Sequence, residues 1–571
     1  MKPIFVIHVL ALIAAIHNGT ALAQAVRSDA SSANAQSAMV AAAQQGLSDG
    51  AARCDALLHG GAEVARKFAN LLDAPTTIVS ARLVSAGGNG DIVEKDYPEH
   101  CRVEGQIAPT VGFLLRMPTR VWNGKFLMGG CGGPCGLYLT DRSDPALVRG
   151  YAVVVTDMGH KGSGWMFADN NLAQMVDFGY RATHVTAIAA KAVIAEFYGD
   201  RPKRNYFVGC STGGRQGLVE AQRFPMDFDG IVAGAPPWMQ TGHQPYASYW
   251  PTLANMKDGK PILDVSKLPL IHEAVLAACD ANDGLKDGII QNPAACNWQP
   301  SAMVCHSGAD SMSCLTSDEA EVVRKIYQGP VDSTGQRLYR GQARGSEMTW
   351  TNYVGQNGKP GPFWSLTDTT LHHLAFLPAP GPGYSIQQFD FDRDPPRLAT
   401  NDVLFAHANP DLTKFRDHGS KLIIFHGWND NNNIPPELAI DYYRLVQATM
   451  GGPDTAAQTA RLFMLPGAYH CRYGEGGGEV DWLTALENWV EHGAAPEQVL
   501  AYHMKHEPYD SVPIAGSESR NTLIPRHPLN PDSYDRVRPV FAYPGVARYK
   551  SGDPALPSSW VRAQGLKNAH K

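Results

Sequence analysis

Along its 571 residues the chain has no run rich in lysine and arginine, and acidic side chains outnumber basic ones, 55 to 49, for a net charge of −6. That balance excludes the basic footprint of a nucleic-acid-binding protein. Beyond the first two dozen residues no apolar stretch approaches the roughly 20 residues of a membrane-spanning helix, so no membrane partner is expected. There is no internal repeat, which excludes solenoids and propellers. Cysteine is absent after Cys471 and directly after Ala23, where a lipid-modified export signal would need one. What remains, 44% apolar and 18% charged residues, is ordinary globular composition. The length suits one large domain with an insertion.

The first 23 residues read as an export signal. Lys2 is a short positive start, Ile4 to Ile16 is apolar apart from His8, and Thr20-Ala21-Leu22-Ala23 ends in small-x-small, which predicts cleavage after Ala23. A periplasmic or secreted protein follows, with residues 24–45 as an Ala/Ser/Gln-rich mature terminus. Outside the cytosol the ten cysteines are disulfide candidates, and full pairing alone leaves about 945 connectivities.

Apolar alternation between Thr76 and Val121 predicts an antiparallel start to a sheet. Lys125–Met128, Tyr151–Thr156, Asn205–Val208, Gly230–Gly234, Lys421–Phe425 and Arg461–Leu465 read as short buried strands. Helical spacing over 184–198, a helix starting near Gly214 and an amphipathic helix over 481–492 alternate with them. The fold class is therefore α/β. From about Pro237 to Thr400 the alternation stops, and the segment reads as a separate insertion packed over the sheet. The expected organisation is a signal peptide (1–23), the first part of the main domain (24–237), the lid (238–400) and the second part (401–571).

Gly209-Cys210-Ser211-Thr212-Gly213 is a Gly-x-Ser-x-Gly pattern between a strand and a helix, the context of a nucleophile elbow. A serine hydroxyl needs a general base, and the base an orienting acid; α/β-hydrolases supply them in the order Ser, Asp/Glu, His. Asp430 follows strand 421–425 and His470 follows strand 461–465, the places where that fold puts acid and base. Asp481 is a fallback acid that would break the order. The backbone N–H of Thr212, and that of Gly132 in the glycine-rich loop after strand 125–128, are the candidate oxyanion donors. Cys210 precedes the serine and Cys471 follows the histidine, so a bridge between them would fix the separation of nucleophile and base; two separate buried thiols is the alternative.

Cys279-Asp280-Ala281-Asn282-Asp283-Gly284-Leu285-Lys286-Asp287-Gly288-Ile289 sets three carboxylates within eight residues. Hard cations such as Ca²⁺ take oxygen ligands from such loops, which assigns the side chains of Asp280, Asp283 and Asp287 and the carbonyls of Leu285 and Ile289 to a structural calcium ion. The spacing is not that of an EF-hand, and Cys296 could close the loop back to Cys279.

Taken together, Cys210-Ser211, Asp430 and His470-Cys471 make the sequence resemble the tannase and feruloyl esterase family, which also includes hydrolases of mono(hydroxyethyl) terephthalate. The stretches 122–126, 156–160, 389–394, 426–430 and 548–553 are similar to family signatures as well. The resemblance spans essentially the whole mature chain. It implies an α/β-hydrolase fold with a large lid, a Cys210–Cys471 bridge and Ca²⁺ at the loop just described. It also implies the pairs Cys54–Cys101, Cys279–Cys296 and Cys305–Cys314, which leaves Cys131–Cys135 by subtraction. Three features depart from the family. There is no cysteine near Phe541, Asn431-Asn432-Asn433 replaces a more apolar stretch, and lid residues 360–385 carry Trp364, His372, His373 and Phe376 but no arginine to meet a substrate carboxylate.

The function expected is an exported serine esterase acting on small aromatic esters, hydroxycinnamate or gallate, through an acyl-enzyme, with Trp364, Phe376 and His426 as substrate contacts. Alternatives are a terephthalate monoester hydrolase, a serine peptidase on the same fold, and a non-catalytic calcium-stabilised binding protein.

Overall fold

The computed structural model describes residues 49–87, 97–306, 312–381, 383–430, 432, 434–505, 523–525 and 531–565. The segment read as an export signal, the residues 24–45, and Asn431 and Asn433 lie outside them.

A nine-stranded mixed sheet organises the chain. Its strands are β1 (Thr76–Val84), β2 (His100–Ile107), β3 (Val111–Pro118), β4 (Lys125–Gly129), β5 (Ala152–Thr156), β6 (Arg204–Cys210), β7 (Gly230–Gly234), β8 (Lys421–Gly427) and β9 (Ala460–Leu465), in spatial order β1-β2-β3-β5-β4-β6-β7-β8-β9. β1, β2 and β3 run antiparallel, as the alternation predicted, and β3 pairs antiparallel with β5. From β5 onward every pairing is parallel. The parallel strands are short and, past the polar first residues of β4, β6 and β8, mostly apolar, as strands covered on both faces require. Along β4, Phe126 and Met128 enter one core and Leu127 the other; along β6, Phe207 and Val208 divide in the same way.

Helices α1 (Ala182–Tyr198) and α2 (Thr212–Arg223) flank the strand that leads to Ser211. α1 buries Val185, Ala189, Val193, Ile194 and Phe197 and stops at Gly199, whose φ of 75° makes a left-handed cap bonded to the Ala195 carbonyl. β6 extends to Cys210, two residues beyond the expected end, because Gly209 and Cys210 pair with Ala233 and Gly234. α2 starts at Thr212 rather than near Gly214, since Ser211 alone makes the turn.

Between β7 and β8 the chain leaves the sheet. This stretch holds α3 (Leu268–Cys279), α4 (Ser317–Gln328), α5 (Phe363–His373) and α6 (Pro395–Phe405). Leu263, Ile271, Val275, Val323, Ile326 and Trp350 form a core of its own. Tyr246, Tyr249, Leu371, Phe376 and Phe389 pack instead into the core shared with α1 and α2. After β8 come α7 (Glu437–Thr449), β9 and α8 (Trp482–His492), which lays Trp482, Leu483, Leu486 and Trp489 against the other face. Two further strands, β10 (Gln498–Met504) and β11 (Tyr534–Phe541), pair antiparallel beyond it.

All ten cysteines are bridged, in the pairs Cys54–Cys101, Cys131–Cys135, Cys210–Cys471, Cys279–Cys296 and Cys305–Cys314. Among the described residues no helix is long and apolar enough to cross a membrane.

Candidate active site

Ser211 sits at the turn from β6 to α2 with φ 63° and ψ −127°, a conformation that only a tightly held backbone imposes on a residue with a side chain. Its N–H donates to the Gly234 carbonyl at 3.0 Å, and its carbonyl accepts from Arg215 N–H at 3.0 Å. Gly214 is glycine for steric reasons, because a β-carbon there would stand 2.0 Å from the Gly234 oxygen. Strand, turn and helix thus hold the serine at the C-terminal edge of the sheet, where α/β folds place their sites.

Asp430 and His470 come from the same edge, after β8 and β9 respectively. His470 Nδ1 lies 2.7 Å from Asp430 Oδ2, and Asp430 Oδ1 accepts from Asn432 N–H at 2.8 Å. Asp430 is buried. Burial alone would raise its carboxyl, but the charges and hydrogen bonds of His470 and His426 outweigh that and hold it below the usual carboxylate range. With Nδ1 on the carboxylate, Nε2 is the nitrogen of His470 that can act as base. Asp481 is engaged elsewhere, capping α8 by accepting from Thr484 N–H at 3.1 Å and pairing with Arg149.

Cys210 and Cys471 join the residue before the serine to the residue after the histidine, with Cα atoms 5.9 Å apart. Both sulfurs and a His470 ring nitrogen lie within 4.8 Å of one another. Both sulfurs being in the bridge, this cluster has no thiolate to offer a metal.

The loop after β4 carries Gly132 and is clipped by Cys131–Cys135. It turns on a Cys135 N–H bond to the Gly132 carbonyl, and Thr212 Oγ1 donates to the Gly133 carbonyl at 2.7 Å. Arg142 packs behind it, with Nη2 3.0 Å from the point a β-carbon on Gly132 would occupy.

The expected substrate contacts fare differently. His426, expected as a substrate contact, is wholly buried and turns Nε2 to Asp430 Oδ2 at 3.0 Å, where it braces the acid. The reason is its place near the end of β8, four residues before Asp430, where the strand is covered on both faces. Phe376 is buried beneath the Arg397 guanidinium and against Tyr384, in the aromatic part of the core shared with α1 and α2. Trp364 meets Tyr249 edge to face at 5.8 Å in the same cluster. A residue missed from the sequence, His243, is buried at the start of the inserted segment. Burial pushes its imidazole down to about 4; the Asp430 charge opposes this and His470 adds to it. One histidine among twenty, on a segment without periodicity, gave no signal.

In the acidic loop, Asp280 and Asp283 are buried, and Asp280 Oδ1 and Asp283 Oδ2 have no hydrogen-bond partner. Burial, and then the charges of Asp287 and Asp280, raise the Asp283 carboxyl to about 6. Asp287 is drawn to Arg538 of β11. Two orphaned carboxylate oxygens and clustered negative charge are the donor chemistry a hard cation takes.

A family model described as tannase and feruloyl esterase matches residues 97–563. The chain belongs to that family. It is 32% identical over 530 residues to the mono(2-hydroxyethyl) terephthalate hydrolase of Piscinibacter sakaiensis, covering 80% of this chain and 83% of that one. It is 31% identical over 494 residues to a probable feruloyl esterase of Arthroderma benhamiae, with coverage of 81% and 83%. Among solved structures, an esterase from Aspergillus oryzae superposes with a TM-score of 0.76 at 25% identity, over 90% of this chain and all of that one. This member of the tannase and feruloyl esterase family is therefore a carboxylic-ester hydrolase with an α/β-hydrolase fold, and its five disulfides suit an oxidising compartment.

Proposed function

We propose that this family member is an exported serine esterase that cleaves carboxylic esters of aromatic acids, hydroxycinnamate or gallate esters foremost, through an acyl-enzyme. The observation that carries the reading is the His470–Asp430 hydrogen bond tied by Cys210–Cys471 to the strained Ser211. Ser211 Oγ attacks the ester carbonyl while His470 Nε2 takes its proton. The N–H groups of Thr212 and Gly132 receive the oxyanion. His470 then returns the proton to the departing alkoxide, leaving the acyl group on Ser211, and water repeats the sequence to release the acid. Residues 238–400 act as the lid over this edge.

The loop of Asp280, Asp283 and Asp287, with the Leu285 and Ile289 carbonyls, is proposed to hold a Ca²⁺ ion that stabilises the lid. The ion supplies no step of the reaction.

A second reading, hydrolysis of terephthalate monoesters, is favoured by the 32% identity to the Piscinibacter enzyme. Turnover of methyl ferulate, methyl gallate and mono(2-hydroxyethyl) terephthalate decides between the two. A higher kcat/KM on the first or second is expected, and preference for the third would replace the reading. Ser211→Ala should abolish turnover of all three; a variant as fast as the parent would overturn the serine mechanism.

A further inference from the structure

The nucleophile's own helix holds the oxyanion loop from both sides of Gly132. Thr212 and Gln216 are four residues apart on α2 and so share one face of it. Thr212 Oγ1 donates to the carbonyl of Gly133, the residue after Gly132. Gln216 Oε1 accepts the N–H of Cys131, the residue before it, at 2.9 Å. Gln216 is 1% exposed, and its amide nitrogen is anchored in turn by donating to Thr183 Oγ1 at 2.8 Å. The two backbones meet without side chains between them: a β-carbon on Gly130 would stand 2.8 Å from Gly213 Cα. The loop is therefore registered against Ser211 by the amide of Gln216 as much as by its own disulfide.

We propose that Gln216 is a positioning residue for ester hydrolysis: it fixes the Gly132 N–H at the distance from Ser211 that the tetrahedral oxyanion requires. This rests on the reading of Ser211 and Gly132 given above. Oxyanion donors act on charge that develops only in the transition state, so displacing one lowers kcat and leaves ground-state binding nearly untouched.

The test is Gln216→Met, which keeps the bulk and removes the acceptor, beside Gln216→Glu, which keeps an acceptor oxygen, and Thr212→Val, which releases the other grip. With concentrations corrected by active-site titration, Gln216→Met should lose about 10- to 100-fold in kcat on an activated aryl ester, with KM within about twofold. Phosphonylation of Ser211 by an aryl phosphonate, whose tetrahedral adduct uses the same donors, should slow in parallel. Gln216→Glu should recover most of the loss, and Thr212→Val should reproduce it. An unchanged kcat in folded Gln216→Met, a loss confined to KM, or no recovery in Gln216→Glu overturns the inference. Should Gln216→Met fail to fold, Thr212→Val decides by the same split. If Ser211→Ala stays active, the reading of the site itself fails; if Ser211→Ala is inactive and Gln216→Met is not impaired, this inference alone fails.

Discussion

At the scale of single residues, the carboxyl of Asp430 has three hydrogen-bond partners among the described residues: His470, His426 and the Asn432 N–H. Asp430→Asn preserves the shape but replaces an ionised acceptor with a neutral amide, which can no longer hold His470 Nδ1–H or stabilise the imidazolium. We expect kcat to fall about 10³- to 10⁴-fold with little change in KM. Steady-state kinetics alongside a thermal melt will check this, and a loss below about tenfold would point to another acid. That Asp430 and His470 would follow β8 and β9 at the sheet edge carrying Ser211 was legible because α/β-hydrolases place acid and base after particular strands in a set order. The burial of His426 against Asp430 was not legible, because a sequence does not show how completely a strand end will be covered. Gln216 and Arg142 were invisible for a related reason: their partners lie 85 residues away at Cys131, or against a glycine loop, and no local pattern records that.

At the scale of elements, the buried parallel strands and both flanking helices were read within a few residues, since continuous apolar runs and 3.6-residue periodicity are local signals. β10 and β11 were not, because their faces are only partly buried and mix polar with apolar residues. α2 carries a prediction of its own. Glu220 is fully buried on it, near Asp227 and His184. Burial, and then the charge of Asp227, hold its carboxyl well above the ordinary value. A raised carboxyl contributes stability below its unfolded value and loses it as pH rises toward the folded one. Glu220→Gln removes that dependence, so melting curves should nearly coincide for variant and parent at about pH 3, below the unfolded carboxyl's value. Above it, the variant's advantage should grow with pH; a difference that stays constant would contradict the raised carboxyl.

The acidic loop joins the inserted segment to β11 through Asp287 and Arg538, and its electrostatics give the calcium proposal a pH signature. With no cation present, an Asp283 carboxyl raised to about 6 means that stability is lost as pH rises through that value. A bound Ca²⁺ reverses the sign by favouring the ionised form. The gap in melting temperature between protein in excess CaCl₂ and protein in chelator should therefore be small about one unit below that value and open above it. Asp283→Asn should close it. A gap independent of pH, or one that survives the substitution, would rule out this loop as the calcium site.

Across the whole molecule, one covalent bond connects the β6 end to the loop after β9 where the chemistry is proposed. Cys210 and Cys471 are 261 residues apart, with the entire inserted segment between them. A cross-link over so long a loop removes much of the unfolded chain's freedom, and losing it should cost about 2–5 kcal/mol. The bond also ends on the residues adjoining Ser211 and His470, and both Ser211 and Cys471 stand at positive φ (63° and 69°). Strain of that kind persists only where the surroundings over-determine it. Replacing both cysteines with alanine should therefore act at two levels: a lower melting temperature, and a lower kcat measured well below that temperature. The distant bridge Cys54–Cys101 supplies the control, because its removal should lower the melting temperature and leave kcat alone. Equal effects of the two replacements on kcat would mean that Cys210–Cys471 serves stability only, and that the β6–α2 turn holds Ser211 without it.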